Sequence, residues 1–331
     1  MKPKFIVNLF NNPPCDVRLE SIVKREVWEK RDGPHLDVHG TEVPDGQASL
    51  AVQIQSPDGN VLFQHSQKIL VKNGQFVHRY ELDSILKTPS IANVSFKSSS
   101  HSDEQTIPIV VHRLYGRITD FEGNAYVMPM GAGNTVVKAD ANGFYEVWLP
   151  AERLFKVFVC DERYSKETLE CWLWDLSLQG DLRLNMHIGS LELYRIHAWM
   201  GECVVYVHFI PMSLGWIRPL VDQGRTENEI AATCEAHPRL REEDVEVLVD
   251  GKICPIKMFA EHPDYLFVKN GKDVSRPGYL LSIEKQSVWA ARDGIIQLRV
   301  THRLIQNEEE IIEQGEGYFL GFYGRPETKQ D

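Results

Sequence analysis

Apolar and polar side chains alternate along most of the chain. Leu182, Leu184, Met186 and Ile188 alternate with Arg183, Asn185 and His187, which is the period of a half-buried β-strand. Similar runs occur at Leu50–Ile54, Ile107–His112, Lys156–Cys160, Val245–Val249 and Ile295–His302. Between them lie Pro57-Asp58-Gly59-Asn60, Asn73-Gly74, Glu122-Gly123-Asn124, Asn142-Gly143, Asp250-Gly251, Asn270-Gly271 and Asp293-Gly294. Asn-Gly and Asp-Gly tolerate the positive φ of tight hairpin turns. Many short strands at this spacing predict an all-β chain of tandem β-sandwiches.

One segment breaks the pattern. Thr226–His237 pairs Thr226 with Glu229 in a capping box, carries Ile230, Ala231 and Cys234 as an apolar stripe, and stops at Pro238. This predicts one short helix inserted in the C-terminal part. Glu20–Lys30 fits both periods and reads as a strand. The N-terminal run Phe5–Phe10 is interrupted by Asn8 and followed by Asn11-Asn12, so it too reads as a strand and not as a signal peptide. No apolar stretch approaches the ~18 residues of a membrane-spanning helix. Boundaries near Arg113 and Trp199 divide the chain into 1–112, 113–198 and 199–331.

Charge narrows the functional classes. The 331 residues carry a formal net charge of -11, with no run of four Lys or Arg. Such a surface repels phosphate backbones, which disfavours nucleic acid and anionic membranes as partners. The six cysteines, Cys15, Cys160, Cys171, Cys203, Cys234 and Cys254, form no CxxC pair and are scattered, several within apolar strands. Buried thiols in a reducing cytoplasm are expected, with no thiolate zinc site and no cofactor.

The middle segment resembles a carboxypeptidase regulatory-like domain, a small transthyretin-like sandwich. Gly116-Arg117-Ile118-Thr119-Asp120-Phe121-Glu122-Gly123 matches its first motif, and Thr135, Asp140, Gly143, Phe144 and Tyr145 match its second. Val147, Leu149 and Pro150 follow, then Phe155, Val157 and Val159. Each Asp-x-x-Gly closes a hairpin, and Phe144 or Tyr145 then points into the core. Two departures stand out: Met128-Pro129-Met130-Gly131 replaces the usual Pro-x-x-Ala-Val, and the last strands are rich in Trp. The resemblance implies a non-catalytic spacer or packing module. Related sandwiches bind or orient sugars. The first 112 residues resemble an immunoglobulin-like sandwich of the sort found beside bacterial carbohydrate-active domains, through the hairpin Ser49–Gln55, Pro57–Asn60 and Val61–His65. Residues 199–331 resemble no particular family.

Three sets of residues are candidates for chemistry. His35, Asp37 and His39 alternate along one strand face, with Cα atoms two apart separated by roughly 6.5–7 Å, so they could converge on a metal ion. The alternative is a polar strand edge facing water. His197–Pro211, read as one strand, places Glu202, Tyr206 and His208 on one side, a carboxylate, a phenol and an imidazole suited to acid–base work. Glu202 and His208 would then lie about 20 Å apart, which counts against a dyad. The other face, with His197, Trp199, Gly201, Cys203, Val205, Val207 and Phe209, belongs in a core. Trp172, Trp174, Trp199 and Trp216 are the aromatic set suited to stacking on sugar rings, with Asp175 available for hydroxyls. Equally, these indoles fill the junction between the second and third units, which is the reading preferred.

No Gly-x-Ser-x-Gly elbow, HExxH or phosphate loop occurs in the sequence. Two functions remain. The first is a non-catalytic multidomain binding or scaffold protein, with carbohydrate or another small polar molecule as ligand. The second is an enzyme of unfamiliar β-fold using Glu202, Tyr206 and His208, with Leu214–Arg241 as a lid.

Overall fold

A computed structural model describes residues 3–11, 33–133, 135–151, 153–226, 229–230, 233, 236–269, 272–285, 294–306 and 308–320. The expected strand at Glu20–Lys30 and the thiols of Cys15 and Cys234 lie outside them. The chain is all-β, as its alternation predicts.

Among the described residues, seven strands build the N-terminal sandwich: β1 (Lys4–Phe10), β2 (His35–Thr41), β3 (Gly46–Gln55), β4 (Val61–Val71), β5 (Gln75–Glu81), β6 (Ser90–Ser98) and β7 (Ser102–Ile109). One sheet runs β1-β2-β5 and the other β4-β3-β6-β7. Their facing sides bury Leu36, Val38, Leu50, Val52, Ile54, Val94 and Phe96.

The next unit contains β8 (Val111–Thr119), β9 (Pro129–Ala132), β10 (Thr135–Lys138), β11 (Phe144–Pro150), β12 (Arg153–Val159), β13 (Cys171–Ser177), β14 (Leu182–Arg183) and β15 (Met186–His187). The turns behave as their sequences dictate. Asp120 accepts the Asn124 N–H at 2.7 Å, and Asp140 accepts those of Asn142 and Phe144 at 2.8 and 2.9 Å. Tyr145 is the aromatic that enters the core, where its hydroxyl donates to the Leu184 carbonyl at 2.7 Å. Phe144 lies outside under the Arg117 guanidinium. Gly116 is required by a close approach, since a Cβ there would fall 1.7 Å from the Leu184 carbonyl oxygen.

The remainder holds β16 (Leu191–Met200), β17 (Val204–Ser213), α1 (Leu214–Asp222), β18 (Val245–Val249), β19 (Lys252–Ile253), β20 (Ile256–Glu261), β21 (Asp264–Lys269), β22 (Lys272–Arg276), β23 (Tyr279–Glu284), β24 (Ile296–Gln306) and β25 (Glu309–Phe319). The sheet β16-β17-β23-β20 covers a core of Val205, Val207, Phe209, Leu281, Ile283, Leu298 and Phe319.

Strands cross both expected boundaries. Residues 112 and 113 lie inside β8, and residues 198 and 199 lie inside β16. An eight-stranded sheet runs β10-β9-β12-β13-β25-β24-β18-β19. Its seam is parallel, pairing Trp172 with Gly317, Leu173 with Tyr318 and Trp174 with Phe319. Tyr318 and Leu320 therefore complete the core of the middle unit.

The helical expectation is met in part and displaced. Thr226 and Glu229 make the expected capping contacts, with Thr226 N–H and Oγ each 2.7 Å from Glu229 Oε2. The body of that segment falls largely outside the described residues. The helix that is seen, α1, starts at once after β17, where Gly215 and Pro219 disguise it in the sequence. Ser213 caps it by accepting the Trp216 N–H, while buried Glu313 accepts the Gly215 N–H at 2.8 Å and the Ser213 hydroxyl. Leu214, Ile217 and Leu220 pack against Cys160, Tyr164 and Leu169 of the middle unit. This start of the expected lid is thus an anchored bridge, held by apolar burial.

Candidate functional site

His197–Pro211 is two strands and not one. Gly201, Glu202 and Cys203 make the turn of the β16–β17 hairpin, with the Gly201 N–H donating to the Val204 carbonyl at 2.7 Å. The turn resets which residues share a face. Ile196, Ala198, Val205, Val207 and Phe209 enter the core. His197 and Trp199, expected inside, instead lie opposite His208 and Tyr206 on the outer face. Glu202 sits exposed at the hairpin tip. From Val204 to His208 alone the strand runs about 13 Å, so the expected triad is not assembled.

That outer face carries an aromatic platform. Trp199 leaves 43% of its surface exposed while stacking on Tyr206, with ring centroids 5.6 Å apart and planes at 24°. His197 lies 6.5 Å from Trp199. His208 meets His262 edge to face at 5.5 Å. Burial first, and then the neighbouring His262, push the His208 pKa below its ordinary value. At neutral pH its ring is therefore uncharged, offering one N–H donor and one nitrogen acceptor. Beside it Asp264 is held by Arg276 at 2.7 Å and approached by Arg195 at 3.6 Å. Chemically this is an aromatic surface flanked by imidazoles and by the Asp264–Arg276 ion pair.

The remaining candidates are dispersed. Trp172 is 4% exposed, stacks between Phe158 and Trp174, and donates its indole N–H to buried Glu192 at 2.8 Å. Trp174 packs half-buried against the C-terminal core, and Asp175 is buried. Trp172 and Trp174 lie at the seam, where β13 pairs with β25, whereas Trp199, grouped with them for the junction, is exposed on the outer face. Trp216 is 41% exposed, on α1. His35 is buried, stacked on Phe10, with Nδ1 2.9 Å from the Gly33 carbonyl. Asp37 forms a two-pronged ion pair with Arg79 at 2.9 and 3.3 Å. His39 pairs between Ile6 and Val77 on the outer side of the sheet. Among the described residues, no group of three His, Cys, Asp or Glu side chains is placed to hold a metal ion.

One arrangement escapes sequence reasoning. Glu316, fully buried at the seam, accepts the His187 backbone N–H at 2.7 Å and lies 2.8 Å from His187 Nδ1. Its other oxygen accepts from Gln297 at 2.8 Å, and the Tyr318 hydroxyl also bonds it. His187 borders a cleft of about 410 Å³ with Phe121, Asp244, Arg299, Thr301 and Gln314. A carboxylate that fixes an imidazole is half of a proton relay. The Cys171 thiol is hydrogen-bonded to the His187 backbone, and burial pushes its pKa well up, so it supplies no ready nucleophile to the ring. The alternation that places His187 on a strand is visible in the sequence, but its partner is not.

No family model matches the chain, and no curated protein matches it. Among solved structures, it is similar to a crystal structure from Bacteroides uniformis described as a candidate carbohydrate-binding protein, at 11% identity and a TM-score of 0.18. That match covers 62% of this chain and 97% of the other. So loose a superposition carries no argument about fold or ligand.

Proposed function

We propose that the protein is a non-catalytic, multidomain binding protein whose ligand is a carbohydrate, taken at the Trp199–Tyr206 platform. The observation that carries this reading is the exposed indole of Trp199, held flat by Tyr206 across the hairpin. An aromatic face kept in water at a fixed angle suits the C–H face of a sugar ring, and the neighbouring imidazoles of His197 and His208 suit its hydroxyls. The acidic chain does not favour phosphate-bearing partners. The middle unit, with its resemblance to carboxypeptidase regulatory-like domains, serves as a spacer. The Tyr145 anchor and the two Asp-x-x-Gly turns support that assignment. We place the protein in the cytoplasm, a reading supported by the free thiol of Cys171 in the core. No helix among the described residues is long and apolar enough to cross a membrane.

The test is a glycan array probed with the wild-type chain and with Trp199→Ala. Retention of a glycan by the first and at least tenfold weaker retention by the second is the expected result. Equal retention by both would remove the platform from the binding site. Hydrolysis of a retained glycan that disappears in Tyr206→Phe/His208→Ala would replace binding with catalysis.

A further inference from the structure

The N-terminal sandwich carries a second feature that the function above does not use. On β3, Leu50, Val52 and Ile54 point into the core, so Ala51, Gln53 and Gln55 line the opposite face. Gln53 pairs directly with Gln64 on β4 and with Asn93 on β6, and Asn93 pairs with Thr106 on β7. The result is a row of neutral polar side chains across all four strands. With neighbouring strands ~4.8 Å apart, the row is about 14 Å long.

These side chains are bonded to one another in one direction. The Thr106 hydroxyl donates to Asn93 at 2.9 Å, the Asn93 amide to Gln55 at 3.3 Å, Gln55 to Gln53 at 3.0 Å and Gln53 to Gln64 at 3.2 Å. Next to the row, Ser95 donates to Glu104 at 3.1 Å. Gln53, Gln64, Asn93, Ser95 and Glu104 of this set line a groove, floored by Ala51, with a volume of about 570 Å³.

We infer that this groove is a second binding site, for a short stretch of a neutral polyhydroxylated chain, that is, an oligosaccharide. It shares the ligand class proposed for the platform but rests on other residues. Asn93, Gln55 and Gln53 each use one N–H and one carbonyl lone pair in the relay and keep a second of each, while Gln64, at its end, uses a lone pair alone. The face therefore offers donors and acceptors side by side, which matches hydroxyl groups, since these do both. No Lys or Arg lines the groove, so a phosphate or sulfate would find no counter-charge. The lining, with Gln53, Gln64, Ser66, Asn93 and Ser95, is too polar for a lipid or an apolar peptide. The relay also fixes the amides before any ligand arrives, which lowers the entropy lost on binding. Its length suits a chain of sugar rings better than a single ion.

The test uses soluble mixed-linkage β-glucan, xylan and galactomannan, with alginate as a polyanionic comparison, and short oligosaccharides of whichever polymer is retained. Four full-length proteins are compared: wild type, Gln53→Ala/Asn93→Ala, Trp199→Ala and the combined variant. Ala51→Leu, which fills the groove from its floor, serves as an independent groove variant if the amide variant fails to fold. Two linked sites on one polymer predict that either single-site variant loses about 100-fold in apparent affinity. On the oligosaccharide, the groove variants lower the stoichiometry from two to one, and the combined variant binds none. Wild-type affinity and stoichiometry in the groove variants would overturn the second site and leave the platform reading standing. Loss of all binding in the groove variants, with Trp199→Ala unchanged, would uphold the groove and sink the platform. Retention by alginate alone would overturn the neutral-ligand assignment.

Discussion

His187 and Glu316 stand 129 positions apart in sequence, yet the Nδ1 of one lies 2.8 Å from the Oε1 of the other. The pair ties β15 of the middle unit to β25, the last strand. Glu316 is fully buried and also bonded by Gln297 and Tyr318, so it acts as a polar rivet through the shared sheet. Removing it strands several buried donors together. We expect Glu316→Ala to cost about 3 kcal/mol in urea unfolding. His187→Ala, which leaves the carboxylate its other donors, should cost about 1 kcal/mol. Equal and negligible costs would show that the seam is held by its apolar side chains alone.

The tryptophans should separate by location. Trp172→Ala empties a buried, doubly stacked site and withdraws the indole N–H from Glu192, so a loss of about 4 kcal/mol is expected. Trp199→Ala gives up one stacking partner on an exposed face and should cost no more than about 1 kcal/mol. Thermal melts of the two variants decide the matter. A large loss for Trp199 would mean that the platform is structural.

This contrast also shows what the sequence makes legible. Strand alternation carries the all-β class, and the Asp-x-x-Gly turns carry their own hydrogen bonds. A period-2 pattern cannot see a hairpin whose turn is itself flanked by apolar residues. Trp199 and Val205 share parity in the sequence, and the turn at Gly201–Cys203 sends them to opposite faces. Hence Trp199 and Tyr206, assigned to different roles, stand together, while Glu202 leaves the group. Long-range partners such as Glu316 and His187, or Trp172 and Glu192, have no local signature. The helix α1 is hidden for another reason: its cap is supplied partly by Glu313, 98 residues away from Gly215. The amide row of the N-terminal sheet is spread over four strands, and only their register reveals it.

Close packing of the last strand yields a third expectation. A Cβ on Gly315 would fall 2.0 Å from the backbone oxygen of Leu191, where neither strand can yield easily. Gly315→Ala should therefore cost about 3 kcal/mol by overpacking. Gly123 provides the comparison, since it has φ +90° but nothing within 4 Å of its added Cβ. There the cost of Ala should be about 1 kcal/mol, from backbone conformation alone. Guanidinium unfolding of the two variants, with unchanged m-values, checks the difference.

Stability should also depend on His237. This imidazole is buried beside α1, with Nδ1 2.8 Å from the Pro211 carbonyl, an arrangement that sets the proton on Nδ1 and leaves Nε2 buried and unprotonated. Burial is the main cause that lowers its pKa from 6.5 to about 4; the Pro211 carbonyl raises it, Arg276 lowers it and Asp264 raises it, each by less. Between these two values the unfolded chain binds a proton that the folded chain refuses. The stability gained by keeping the ring neutral is thus intact above pH 6.5 and is lost as the pH falls toward 4. At about 1.4 kcal/mol per unit the full loss is about 3 kcal/mol. His237→Gln keeps a donor for Pro211 and cannot take up the proton. Its unfolding free energy should fall less steeply than that of the wild type from pH 6.5 to 4, and parallel pH profiles for the two proteins would show that His237 is not the group responsible.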